Sequence, residues 1–253
     1  MYNIPFTILV LSACDKVPKD CPWVVNVNVA NIEKPNPYLI QIGLFSISDN
    51  VQVRISQGNL QYKDATYRFA PSQLHCCHIP GMNNEGYEDL FPYAEERTHL
   101  TINGQQWRML ALNEWKYLLY QRANAELLLG QARVEGLNGL ILLPDAWQGV
   151  NGITFVPSPK KASENTYSID EWHSLEEAGA IFLPAAGFYQ KGDVQYVGLY
   201  GYYWSLPGIE NGATHDYYMF SGQKSDAWLN SVDGSDGNYP SATPLHLSIR
   251  LVK

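Results

Sequence analysis

The chain has no run of eighteen apolar residues, so no helix is expected to span a bilayer. Basic residues are scarce: 17 Lys and Arg stand against 25 Asp and Glu, a formal net charge of −8. A surface for phosphates needs clustered cations, so nucleic acid is not expected as a partner. The sequence contains no HExxH, no P-loop and no nucleophile elbow, which excludes three common catalytic frameworks. Cysteine is limited to four residues, and none follows Cys77. Glu95-Glu96 and Glu176-Glu177 read as solvated charges rather than acid–base pairs, and His215-Asp216 as a solvated loop.

The cysteines that are present divide in two. Residues 4–13 form a short apolar run that ends at Cys14, in the order Leu11-Ser12-Ala13-Cys14. A signal-peptide apolar region has this length. The junction resembles the lipobox of bacterial lipoproteins, although no Lys or Arg precedes the run. Lipidation at Cys14 and an outer-membrane location follow as expectations. Cys21, Cys76 and Cys77 remain, an odd number with no known framework spacing. Adjacent cysteines chelate one metal poorly, so His75-Cys76-Cys77-His78 is not expected to hold zinc. A disulfide from Cys21 to one of the pair stays open.

What the chain has in quantity is tyrosine. Aromatics make up 13%, and eight of the seventeen tyrosines lie between Tyr189 and Tyr239. Tyrosine offers a large contact area at low entropic cost and keeps a polar tip. Residues 183–205 organise the chain: an apolar turn, short strands broken by glycine, then Tyr200-Gly201-Tyr202-Tyr203-Trp204. Period-two alternation puts Tyr200, Tyr202 and Trp204 on one face and Tyr203 on the other. A bend at Gly201 would separate Tyr200 and Tyr202 from Trp204.

Residues 206–214 carry a proline, two glycines and no apolar period, and are expected exposed. Residues 215–220 resume as a strand in which Asp216 and Tyr218 share a face. Beyond it, Lys224, Asp226, Trp228 and Asn230 join the surface, closed by a polar loop with Asp236 and Tyr239. These residues, with Tyr200 and Tyr202, are the candidate ligand-binding set. Between Leu206 and Pro240 stand five acids and one lysine, which favours a cationic or hydroxyl-rich ligand. Asp233, Asp236 and Asn238 offer oxygen atoms, but a solvated turn explains them; no metal or cofactor is expected.

Elsewhere the pattern predicts short elements. Residues 15–42 read as a tether with a strand at 23–30, and the main domain starts near Gly43. Strands are expected at 51–55, with Val51, Val53 and Ile55 on one face, and at 60–62 and 66–69 as a hairpin. Another covers 105–110. A helix is predicted over 114–122 with Asn113 as N-cap and Trp115, Leu118 and Leu119 as its apolar stripe. Asn138-Gly139 reads as a turn before a strand at 140–143, and Asn151-Gly152 as another. A second helix is opened by a Ser168/Glu171 capping box, carries Ile169, Trp172 and Leu175 inward, and ends at Gly179. Residues 181–183 form a buried strand, and 245–252 alternate as a half-buried one. First and last strands pair most economically. The fold class is α+β, not a βαβ array.

Taken in order, several stretches carry a family resemblance. They are GNLQY at 58–62, YRFA at 67–70, WRMLALNEWKYLL at 107–119 and GLILLPD at 139–145. They continue with NTYSIDEW at 165–172, LPAAG at 183–187, YGYYWS at 200–205 and SIRLVK at 248–253. The set resembles the C-type lectin-like domains of secreted bacterial lipoproteins. It is similar to FISUMP-type major paralogous domains and to the variable proteins of diversity-generating retroelements. The resemblance covers residues 43–253, leaving 1–14 as signal peptide and 15–42 as tether. It implies a C-type lectin-like fold with paired N- and C-terminal strands, Trp204 in the core as part of the frame, and a long loop region presenting ligand contacts.

Two features depart from the family: residues 71–106 are short and lack a Gly/Trp-rich run, and the C-terminal region lacks a dense Asn/Ser cassette. The same fold superfamily holds formylglycine-generating enzymes, whose chemistry needs C-terminal cysteines that this chain lacks. The expected function is therefore a non-catalytic, adhesin- or receptor-like lipoprotein binding a protein or a glycan. A structural or anchor subunit of a fimbria-like assembly is the alternative, with residues 23–30 as a donor strand.

Overall fold

The structure is a computed structural model and describes residues 43–75, 87–92, 94–157, 161–206, 215–221, 227–232 and 245–253. In chain order it opens with β1 (Phe45–Ser48), β2 (Val51–Val53), β3 (Leu60–Lys63), β4 (Thr66–Phe69) and β5 (Phe91–Pro92). Then come β6 (His99–Ile102), β7 (Gln105–Met109), α1 (Leu112–Lys116), β8 (Leu129–Val134) and β9 (Leu137–Leu142). The middle holds β10 (Thr166–Tyr167), α2 (Ile169–Glu177), β11 (Ile181–Pro184), β12 (Phe188–Gln190), β13 (Asp193–Gln195) and β14 (Tyr200–Ser205). The last elements are β15 (His215–Ser221), β16 (Ala227–Val232), β17 (His246–Leu247) and β18 (Leu251–Val252). This is α+β with mostly antiparallel strands; β10 on β8 is the parallel exception among the named ladders. The expected strand at 23–30 lies outside the described residues.

Four hairpins share one turn. The closing pairs Lys63–Thr66, Ile102–Gln105, Val134–Leu137 and Gln190–Asp193 each leave two residues between them. Both residues of each turn have positive φ: Asp64-Ala65, Asn103-Gly104, Glu135-Gly136 and Lys191-Gly192. That geometry matches the right-handed twist of the flanking strands. The expected hairpin at residues 60–69 is therefore present. The expected turn at Asn138-Gly139 is not: the chain reverses at Glu135-Gly136, and both residues lie inside β9. Tertiary contact explains their types. A Cβ on Gly139 would stand 2.3 Å from Phe182 Cζ. Asn138 donates to the Gly198 carbonyl at 2.9 Å and accepts from Arg133 Nε at 3.1 Å.

The helices differ from expectation at their ends. α1 begins at Leu112, with Ala111 rather than Asn113 as N-cap. The reason is Glu114, whose carboxylate accepts the Ala111 N–H at 2.8 Å while Arg108 clamps it at 2.6 and 2.7 Å. Beyond Lys116 the helix widens into a π-helical turn, Tyr117–Gln121, and Trp115, Leu118 and Leu119 all point into the core. In α2 the expected capping box is present, with the Ser168 N–H on Glu171 at 2.8 Å and Gly179 at φ +99°. Trp172 and Leu175 are buried, but Ile169 is exposed. In β2, Val51 is likewise exposed while Val53 and Ile55 are buried.

Three apolar cores lie under these elements. The first gathers Phe45, Ile55, Trp115, Leu118, Leu183 and Tyr203; the second Leu60, Phe91, Met109, Tyr202, Trp204 and Ile249; the third Ile141, Trp172 and Phe182 with their neighbours. The two ends of the described domain meet: the Arg54 N–H donates to Lys253 O at 2.8 Å, and the Lys253 N–H returns to Arg54 O at 2.9 Å. The C-terminal stretch is not half-buried. Residues 247–252 are buried on both faces, because the stretch runs between the first and second cores. Its charged member, Arg250, stays inside at 1% exposure by donating to Ser56 O at 2.9 Å and Phe182 O at 2.7 Å.

The outer edge of β11 is closed by a side chain. Gln73, fully buried, accepts the Phe182 N–H at 2.8 Å and donates to Ala180 O at 3.2 Å and to Glu176 at 2.9 Å. It occupies the place of a neighbouring strand, and so removes an open edge. Burial pushes the Glu176 carboxyl above its usual range, opposed by this hydrogen bond. Gln73→Ala is expected to destabilise the fold by about 2–3 kcal/mol, because it strands buried backbone groups. Hydrogen exchange checks the mechanism: the Phe182 amide should lose protection well before the β8–β9 amides do.

Candidate ligand-binding surface

β14 is the base of the surface. Its alternation is unbroken: Tyr202 and Trp204 enter the second core and Tyr203 enters the first. The polar tips of Tyr203 and Trp204 are satisfied inside, with Tyr203 Oη donating to Pro184 O at 3.0 Å and Trp204 Nε1 to Phe91 O at 2.7 Å. Trp204 is thus where the sequence predicted it. Tyr202 is not free: it is 6% exposed, with its ring edge-on to Phe188 at 5.2 Å. The expected bend at Gly201 does not release it, because Gly201 bridges to Gly187 and draws β14 down beside β12. Tyr202 is a support of the surface rather than part of it.

Tyr200 is half-buried at the rim of the second core and meets Tyr202 at 6.3 Å. The ring that reaches solvent is Tyr196, 47% exposed, edge-on to Tyr200 at 5.7 Å and tilted against Phe188 at 5.6 Å. Leu199 beside it is 40% exposed. Sequence reasoning began the surface at Tyr200 and missed both. The available signal was Tyr196 between glycine-punctuated strands, which period-two patterning cannot place.

The register of the three-stranded sheet β14–β15–β16 divides the rest of the predicted set. Asp216 stands between Ser205 and Ser231, and Tyr218 between Tyr203 and Leu229. Trp228 stands opposite Met219, itself opposite Tyr202; Asn230 stands opposite Tyr217, itself opposite Trp204. Directly paired residues share a sheet face. The backbone therefore assigns Asp216 and Tyr218 to one alternation and Trp228 and Asn230 to the other. Lys224, Asp226, Asp236 and Tyr239 lie outside the described residues, as do Asp233, Asn238, Cys14, Cys21 and Cys76-Cys77-His78.

Two further groups border this base. On β17, His246 lies edge-on to Tyr189 at 5.0 Å. Burial holds its imidazole below the ordinary range, opposed by a hydrogen bond at Leu90 and the charge of Glu88. A second aromatic cluster, on β3, β4 and β7, pairs Tyr62 with Tyr67 at 4.8 Å and Phe69 with Trp107 at 4.7 Å. Here the chain covers its own rings: Arg68 lies 3.3 Å over Tyr87, and Lys253 4.9 Å over Trp107. Among the described residues, no group of three His, Cys, Asp or Glu side chains converges as metal ligands would. His75 Nε2 lies 3.8 Å from Asp89 Oδ2.

Compared with known proteins, the chain matches no family model, no curated protein and no solved structure.

Proposed function

We propose that this chain is a non-catalytic ligand-binding module of the cell envelope, a C-type lectin-like domain over residues 43–253 held by a lipid at Cys14. It acts as an adhesin or receptor, and its ligand is a protein or a glycan. One observation carries the reading. Leu206 and Leu245 both pack against the second core, beside a β14 buried on both faces. Between these two anchor points β15 and β16 extend the sheet from β14, which fits strands whose work is contact rather than core formation. The paired ends of the domain and the α+β architecture agree with the lectin-like resemblance. The exposed tyrosine beside β14 adds an aromatic surface of the kind that makes binding anchors.

The test uses Trp228 on β16. A glycan array and envelope extracts supply the ligand, and Trp228→Ala is then compared with wild type for affinity and melting. Affinity is expected to fall by about 2 kcal/mol, roughly thirtyfold, with melting preserved. Unchanged affinity in a folded Trp228→Ala protein removes this surface from binding.

A further inference from the structure

Asn-Gly pairs occur at residues 103–104, 138–139, 151–152 and 211–212, and the first three are described. The dipeptide carries a latent reaction. The glycine amide nitrogen can attack the asparagine side-chain carbonyl carbon, because glycine has no side chain to block the approach. The new C–N bond closes a succinimide ring, and the side-chain nitrogen leaves as ammonia. Water then opens the ring at either carbonyl, giving aspartate or isoaspartate. The same two residues are reactive or inert according to what holds them.

Asn138-Gly139 is locked. Both residues are buried in β9, the Asn138 amide is engaged at both ends by Gly198 O and Arg133 Nε, and Gly139 is paired with Ala132 on one side and Pro184 on the other. Asn103-Gly104 is exposed, but it tips a hairpin zipped from Ile102–Gln105 to His99–Arg108, whose second strand is held in turn by β18. Asn151-Gly152 has neither restraint. Both residues are exposed, and a Cβ on Gly152 would meet nothing within 4 Å. The reversal expected there is present, but a single bridge closes it, Val150–Ile153, with the Ile153 N–H on Val150 O at 3.1 Å. Among the described residues, no hydrogen bond holds the Asn151 side chain or the Gly152 N–H. Ring closure requires the backbone to leave its native turn, and such local opening costs least where the fewest contacts oppose it.

We propose that Asn151 is a self-modification site: the folded protein converts it to aspartate and isoaspartate without an enzyme, ahead of Asn103, while Asn138 is protected. Each conversion replaces a neutral amide by a carboxylate, and the isoaspartate route adds a methylene to the main chain. Val150 and Ile153, on either side, pack against the third core, and the Thr154 carbonyl accepts the Tyr167 hydroxyl at 2.8 Å. The longer main chain is therefore delivered to contacts over that core.

The test is incubation of the whole chain in mildly alkaline buffer, once folded and once unfolded in urea, with peptide mass spectrometry at each asparagine. An isoaspartyl methyltransferase with a labelled methyl donor identifies the isoaspartate product. In urea the three sites should convert at similar rates, since the local sequence is then the same Asn-Gly at each. In the folded protein Asn151 should convert about tenfold faster than Asn103, and Asn138 should stay intact. Gly152→Ala crowds the attacking nitrogen and should slow conversion at Asn151 severalfold while leaving Asn103 unchanged. The proposal is overturned if folded Asn103 converts as fast as Asn151, if folded Asn138 converts as it does in urea, or if no site converts in the folded protein.

Discussion

Asp145→Ala is expected to lower stability by about 3–5 kcal/mol, the largest single effect among the described ionisable groups. Arg122 is the reason. Its side chain is 1% exposed, and Nη1 donates to Asp145 Oδ1 at 2.9 Å. Removing Asp145 leaves that charge buried without its counter-ion. The same carboxylate also receives the Ser46 N–H, the Ser46 hydroxyl and Gln52 at 2.8, 2.7 and 2.8 Å, which ties β1 and β2 to the loop after β9. At about 2–4 °C per kcal/mol for a chain of this size, melting should fall by about 10 °C.

The opposite deletion is milder. Arg122→Met leaves Asp145 22% exposed and still holding its three other donors, so the loss should be about 1–2 kcal/mol. Burial alone would push Asp145 up, but hydrogen bonds from Ser46, Gln52 and Arg122 outweigh it and hold the carboxyl below its usual range. A folded-state pKa below the unfolded one contributes stability in full above about pH 4 and loses it as pH falls through the folded value. The gap between wild type and Asp145→Ala should therefore narrow in acid. Urea unfolding from pH 7 to pH 3 measures it; a gap constant with pH, or equal losses for the two single variants, would show that the ion pair is not the cause.

Gly187→Ala is expected to cost about 3 kcal/mol or more. Two effects add. Gly187 has φ +66°, and a Cβ there would stand 1.9 Å from the Gln195 carbonyl oxygen. A backbone oxygen cannot rotate away, so the β12–β13 hairpin must shift. Gly187 also donates its N–H to Tyr200 O at 2.8 Å, so the shift is transmitted to β14 and to the Tyr196 ring packed on Tyr200. Gly192→Ala separates strain from collision: φ is +86° there, but nothing lies within 4 Å of the added Cβ. It should cost only about 1–2 kcal/mol. Denaturant midpoints decide between them, and equal losses at the two glycines would refute the collision argument.

Local chemistry in the sequence was enough for a specific set of features. The Ser168/Glu171 box and Gly179 bound α2, because a cap is satisfied within a few residues of itself. The Trp115, Leu118 and Leu119 stripe is a matter of helical period. Residues 60–69 form a hairpin because strand propensity and a tight reversal are both local. That Trp204 belongs in the core followed from the resemblance, since alternation alone gave it the same face as Tyr200 and Tyr202.

Other features were decided by contacts between residues far apart in the chain. Asn138-Gly139 has the composition of a turn, yet it is strand, because Phe182 and Gly198 need what only those residues offer. Residues 247–252 alternate as a half-exposed strand would, yet two cores close on them, and Arg250 is tolerated inside because Ser56 and Phe182 present carbonyls. Tyr202 is buried and Tyr196 exposed for the same kind of reason: Gly187 lets β14 approach β12, and that approach chooses which tyrosine is covered. Alternation along a strand sets which residues share a face. It does not say whether that face meets water, since that depends on what the rest of the chain packs against it.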